Sequence, residues 1–320
     1  MAIEESASSL SHKASDILTF CKIAKANGSM LSLKDVILLA SLDMTEDELI
    51  RAWDECDELN SAYQIVSGRI LERNARQDDG HYEMMDEYAE RLLRATSNVA
   101  FAKKFVSFLQ DKNLKLVCIS GSTSYLSVSR EDDLDFFLVT KRNRMWTTFA
   151  KSLLLARLFR ISEPSSPSLC LSYVADEDFI TSQLRKPQDA LFARDAISAT
   201  VVRGEGFFST LLYLGSWMAR YFPKMYNLRL QGRMKGTPVD YDTSSLVERI
   251  LDIFVFYIIG RYIRVKSNLL NRKLSKLGLR DSVFKVKMGK DHCIYESFSY
   301  MELKRMYSEL QKKSEATTLR

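Results

Sequence analysis

Three short apolar runs constrain this chain more than any other feature: LKLVCIS at Leu114–Ser120, DLDFFLVT at Asp133–Thr140 and SLCLSYV at Ser168–Val174. Each is too short for a self-burying helix and too continuously apolar for a strand with one wet face. Such runs fit strands covered on both faces by helices. Between the second and third, Arg144–Arg160 carries helical spacing, with Trp146, Phe149, Leu153 and Leu154 expected inward. Residues 81–112 also show helical spacing, with a break expected near Ser97-Asn98. From Pro187 onward the chain reads as mainly helical, interrupted by a polar stretch at Gly232–Ser245.

The first part of the chain has a different grammar. Helices are predicted over Lys13–Ala26 and Leu31–Ala40, the second with Ser32 as N-cap and Asp35 three positions on. A third begins at Thr45-Glu46-Asp47-Glu48, a capping box, and places Leu49, Trp53 and Cys56 on one face. AYQIV, a Ser67-Gly68 turn and RILER then read as a hairpin. Three helices and a hairpin is the order of a winged helix. The usual task of that module is DNA reading by the third helix. Here Glu46–Glu58 holds seven acids and one base, Arg51, so phosphates would repel it. A packing or protein-contact role is the better expectation. Arg76–Gly80 reads as a connector.

The 320 residues suffice for two or three domains, and 46% hydrophobic with 27% charged residues is an ordinary globular balance. Five scattered cysteines (Cys21, Cys56, Cys118, Cys170, Cys293) without ligand spacing fit a reducing compartment. His292-Cys293 reads as a structural neighbour pair. The opening residues lack a signal peptide's apolar core, which points to a cytoplasmic protein. Phe207–Ala219 and Ile250–Gly260 are strongly apolar but fall short of a bilayer span, so no transmembrane segment is expected. Both are read as buried helices, with a membrane-surface role as a weaker alternative. The net charge of +5 is uneven: Gly260–Lys290 holds ten Lys and Arg against one Asp. That surface suits nucleic acid or another polyanion, or simply keeps a helix face in water.

The chemistry concentrates in CISGSTSYLSVSREDDLDFFLVT. Gly121 would let backbone approach a phosphate, and Ser122 would offer a hydroxyl to it. Asp133 and Asp135, two apart on a strand, would face one pocket and hold magnesium or manganese. A solvated acidic turn capping a strand is the plainer alternative. Lys141, Arg142 and Arg144 would meet phosphates or end a strand in water. Arg194-Asp195 is a further basic candidate, and reads just as easily as a structural pair.

A strand, Gly121-Ser122, and Asp133-Leu134-Asp135-Phe136 opening a second strand resemble the signature of the polymerase-beta-like nucleotidyltransferase superfamily. Over roughly residues 30–225 the chain resembles prokaryotic nucleotidyltransferase-domain proteins with an N-terminal winged-helix-like segment. The resemblance rests also on the hairpin, Arg144-Met145-Trp146, LCLSY followed by Ala175-Asp176-Glu177-Asp178, and Trp217 to Tyr221-Phe222-Pro223. It implies an α+β fold with three parts. These are a winged-helix-like domain (1–76), a small mixed-sheet nucleotidyltransferase core (77–205) and a helical C-terminal region (206–320).

It also implies transfer of a nucleoside monophosphate from a nucleoside triphosphate (NTP) to an acceptor hydroxyl by a two-metal mechanism, with magnesium or manganese as cofactor. The family pattern includes a third carboxylate on a later strand. SLCLSYV offers Cys170 and Ser172 instead. Asp176, just beyond it, is the nearest substitute as a metal ligand, ahead of Glu177, Asp178 and Asp132. The alternative is a catalytically degenerate protein that binds nucleotide or nucleic acid as a regulatory module.

Overall fold

Ser32 and Thr45 each start a helix by reciprocal capping. Ser32 Oγ accepts from the Asp35 N–H at 3.1 Å while the Asp35 carboxylate accepts from the Ser32 N–H at 2.8 Å. Thr45 and Glu48 repeat the exchange. The computed structural model describes residues 2–26, 29–40, 44–73, 79–233, 245–278 and 284–318, with side chains from residue 10 to 308 except 79–84. The first elements are α1 (Ala2–Ala26), β1 (Leu31–Ser32), α2 (Leu33–Leu39), α3 (Glu46–Asp54), α4 (Asp57–Ala62), β2 (Tyr63–Val66) and β3 (Arg69–Glu72).

Ser67 and Gly68, both left-handed, turn the hairpin. β1 adds a third strand in the order β1-β3-β2, a pairing too short to show as a pattern in the sequence. Ile17, Val36, Leu49, Trp53 and Leu59 form a common core. α1 starts well before Lys13, and its Lys13 and Lys22 pair with Glu48 and Glu58 at 2.8 and 2.9 Å. Part of the acidic face is therefore neutralised within the module. Most of the connector, residues 76–78, lies outside the described residues, as does 234–244 of the later polar stretch.

The remaining elements build one sheet and its two covers. In chain order they are α5 (Asp79–Leu109), β4 (Leu114–Ser120), α6 (Gly121–Ser124), β5 (Leu134–Thr140), α7 (Met145–Ser162), β6 (Leu169–Asp176), α8 (Glu177–Leu184) and α9 (Ala190–Ser198). Then follow β7 (Thr200–Arg203), α10 (Glu205–Leu214), a 3-10 turn at Ser216–Arg220, α11 (Pro223–Leu230), α12 (Leu246–Lys276), β8 (Lys285–Met288), β9 (His292–Glu296) and α13 (Phe298–Thr318). The six strands run β7-β4-β5-β6-β9-β8. β5 and β6 are parallel, joined over α7, and the other neighbours are antiparallel. The fold is thus α+β with mixed sheets.

Side-chain alternation divides the core in two. Val117, Ile119, Phe136, Leu138 and Val174 pack under α5, α7 and α12. Leu116, Cys118, Val139 and Ala175 pack against α8–α11 and α13.

Four expectations need correction. α5 is unbroken at Ser97-Asn98: Ser97 faces water, and the buried Asn98 amide donates to Thr123 Oγ1 at 3.1 Å. Leu154 is 62% exposed on α7, while Trp146 and Phe149 are buried as expected. The region after residue 205 is not only helical, because β8 and β9 extend the central sheet beside β6. Finally, Ile250–Gly260 is largely exposed rather than buried, unlike Phe208, Leu211, Leu212, Trp217 and Met218 of the other apolar stretch.

Candidate nucleotide site

β4 delivers Ser120 opposite Asp135 of β5, so the turn that follows Ser120 begins beside that carboxylate. Gly121 takes φ +65°, and a Cβ there would stand 2.7 Å from Asp135 Oδ2. Only glycine satisfies both the left-handed backbone and the close approach. The single turn of α6 is tied locally. Ser124 Oγ donates to the Gly121 carbonyl at 2.8 Å, and the Ser127 N–H donates to the Ser122 carbonyl at 2.9 Å. Below it, buried Thr123 rests on Asn98 of α5. Gly121, Ser122 and Asp135 are therefore brought together, with Asp133 exposed at the mouth of the strand.

Asp135 sits in a half-buried crevice. Burial pushes its carboxyl up to about 7, helped by the charges of Asp133 and Asp195, while hydrogen bonds from Cys170 and Ser172 pull against the rise. Cys170 is its register partner on β6, and the pairing slips between Asp135 and Phe137, which brings Ser172 in as well. Burial and the Asp135 charge push the Cys170 thiol upward, so it stays protonated and donates. The position where a third carboxylate is expected thus carries two uncharged groups, the Cys170 thiol and the Ser172 hydroxyl, the latter also within donating distance of the Phe136 carbonyl at 3.3 Å.

Asp176 is not part of this site. It is the last residue of β6 and lies opposite Thr140, five strand positions from Asp135, or roughly 16 Å at about 3.3 Å per residue. There it caps α8, accepting from the Phe179 N–H at 2.9 Å, and burial raises it to about 6. Its neighbours are structural too. Glu177 is fully buried, accepts from the Arg142 N–H at 3.0 Å and meets Lys115 at 3.5 Å, and Asp178 pairs with Arg142 at 3.0 Å. Arg142 and Arg144, which pairs with Glu248, are spent at that far end and do not meet the crevice. Asp132 closes the loop before β5 by accepting from the Ser129 N–H at 2.9 Å.

The group that sequence reasoning misses is Tyr125, four residues past Gly121. Its hydroxyl donates to Asp195 of α9, and the Arg194 guanidinium lies 4.0 Å over its ring and bonds Tyr307 of α13. Arg194 and Asp195 therefore serve different partners rather than forming a simple pair. Burial holds Asp195 at about 6, against the Tyr125 hydrogen bond and the Arg194 charge. A tyrosine next to a Gly-Ser turn was the available signal, but its partner is 70 positions away.

Other features are accounted for structurally. His292 stacks on Phe179 at 4.1 Å and Cys293 is buried. A cleft between α1, the hairpin and α5 has its charges paired internally, Lys25 with Glu72 and Arg91 with Glu87.

Among the described residues no group of three or more His, Cys, Asp and Glu side chains is placed to hold a metal ion by itself. Two carboxylates are as many as a magnesium ion borne on phosphate oxygens commonly takes from a protein, and the protonated Cys170 thiol adds no ligand for such an ion. The two carboxylates fall short of the donors that two metal ions need. Comparison with models of protein families, with curated proteins and with solved structures finds no match.

Proposed function

We propose that the chain is a nucleotide-binding protein of polymerase-beta-like nucleotidyltransferase type, taking an NTP with one magnesium ion in the crevice of Gly121, Ser122, Asp133 and Asp135. The observation that carries this reading is the seating of the left-handed Gly121 backbone directly on the Asp135 carboxylate. The turn and the Asp135 carboxylate share one wall, and the charge of the exposed Asp133 reaches that carboxylate. An ordinary acidic turn has no need for that approach. Cys170 and Ser172 at the third position favour binding over turnover. Asp133 and Asp135 would hold the ion, whose contribution is to neutralise phosphate charge. Lys266 of α12, whose charge reaches Cys170, adds positive field.

The first seven elements support a winged-helix-like reading for the N-terminal module: a strand between the first two helices joins the hairpin sheet. Its acidic third helix makes a protein partner the better fit than DNA.

Nucleotidyl transfer is the second reading, and Asp195 favours it. Its charge reaches Asp135, and its carboxyl is held near 6. In that reaction an acceptor hydroxyl attacks the α-phosphorus, pyrophosphate leaves, and a carboxylate takes the hydroxyl proton.

Thermal denaturation with each NTP, with and without magnesium, tests the binding. Stabilisation that needs both ligands and disappears in Asp133→Asn/Asp135→Asn is expected. Its absence with all four nucleotides would end the proposal. Labelled NTPs then separate the two readings, because only transfer releases pyrophosphate.

A further inference from the structure

α12 is turned inside out. Toward the sheet it buries Asp252, Gly260, Ile263 and Ser267. Toward solvent it presents Ile250, Phe254, Tyr257, Ile258, Val265 and Leu269, each at least half exposed, with relative accessibilities of 51–64%. At about 100° per residue those six positions fall within about 120° of one another, so they form one stripe along the helix, with Arg261 in the gap between Ile258 and Val265. α7, held beside it through Thr147–Asp252 and Trp146–Phe256, adds Leu154, Leu158 and Ile161 at 62, 53 and 72%. An apolar surface of this extent on a water-facing helix pair marks an interaction site.

Charge selects the occupant. The helix carries seven Lys and Arg (Arg249, Arg261, Arg264, Lys266, Arg272, Lys273 and Lys276), all exposed. Its two acids are both engaged: Glu248 with Arg144 and the Ser245 cap, Asp252 with the backbone and hydroxyl of Thr147. α7 has no acid at all. The outward face of both helices is thus apolar and cationic. A second copy packed by two-fold symmetry would set these cations against themselves. An anionic bilayer answers both properties, with aromatic and aliphatic side chains entering the headgroup region and the bases meeting lipid phosphates.

We propose that the α7–α12 face docks on an anionic lipid surface, with α12 lying in the membrane plane. It does not cross: no described helix is long and apolar enough. Lys266 is the cation of α12 whose charge reaches Cys170 beside Asp135; the docking face does not need it and the variants below leave it in place, so the proposal does not depend on nucleotide binding.

Flotation of the full chain tests this, using vesicles of phosphatidylcholine alone and of phosphatidylcholine with phosphatidylglycerol. Recovery with the anionic vesicles is expected, about tenfold weaker on the neutral ones and falling as salt rises. Phe254→Ser/Ile258→Ser and, separately, Arg261→Glu/Arg264→Glu are each expected to lower recovery about tenfold with an unchanged melting temperature. Failure to float with anionic vesicles overturns the proposal, as does flotation that neither double variant weakens. Two further results reassign the face. A dimer by light scattering that Phe254→Ser/Ile258→Ser dissociates, without flotation, gives it to a second copy. RNA retention lost only in the charge variant, again without flotation, gives it to nucleic acid.

Discussion

The Cα of Gly121 stands so close to Asp135 that a methyl group on it would lie 2.7 Å from the Asp135 carboxylate oxygen. Two demands meet at one residue, a left-handed backbone and the absence of a side chain. Gly121→Ala therefore costs about 1–2 kcal/mol from the backbone conformation alone, and the collision adds to it or displaces Asp135. Urea denaturation is expected to show the loss, and the magnesium- and nucleotide-dependent rise in melting temperature is expected to vanish. Retention of that rise would separate the turn from the site.

The titration of Asp135 gives a signed expectation. Its folded carboxyl is raised to about 7, chiefly by burial, while an unfolded aspartate titrates near ~3.9. The native state therefore binds this proton more tightly, and stability falls as pH rises from about 4 to about 7. Asp195 and Asp176, both raised to about 6, act in the same direction. Asp135→Asn removes the largest of the three shifts. The variant should match the parent near pH 4 and exceed it at pH 8 by at least about 1 kcal/mol. A gap independent of pH would show that burial does not govern this group.

Asp176 provides the contrast. Removal of the cap by Asp176→Ala is expected to cost about 1 kcal/mol and to leave nucleotide-dependent stabilisation unchanged. Asp133→Asn should do the reverse, since Asp133 is exposed and starts no helix. Calorimetric melts of both variants with and without magnesium and NTP measure the pair of effects. Loss of nucleotide response in Asp176→Ala would bring that carboxylate back into the site.

What is legible in the sequence follows from how local its cause is. Leu114–Ser120 and Leu134–Thr140 declare themselves because both faces are buried and the apolar run is continuous. Ser32, Thr45 and the Ser67-Gly68 turn are visible because capping and hairpin chemistry act over two to four residues. β8 and β9 are not: KVKM and HCIYE are short, partly exposed segments, and only the pairing of β9 with β6, and of the edge strand β8 with β9, makes them strands. The outward face of α12 is hidden for the opposite reason. Composition alone equates apolar with buried, whereas this helix turns Asp252 and Ser267 inward. At the candidate site, the meeting of the Gly121 turn with Asp135 is readable from spacing. The Tyr125–Asp195 bond and the displacement of Asp176 depend on helix packing and strand register, which spacing does not encode.

The neutral donors opposite Asp135 make the last expectation the most direct test of what this crevice lacks. Cys170 shares the register of Asp135 across parallel strands, so their side chains leave the sheet on the same side. Cys170→Asp would place a second carboxylate against one already raised by burial and by Asp133. Without metal, like charges at that separation oppose each other, and the variant should melt below the parent. With magnesium or manganese the added carboxylate becomes a ligand, so the deficit should close or reverse as metal is titrated. Manganese affinity is expected to rise about tenfold, on the order of 1.4 kcal/mol. Pyrophosphate release from labelled NTP should appear or increase only in this variant's metal-bound form. A Cys170→Asp protein that is destabilised equally at every metal concentration would show that the crevice is not built around a cation.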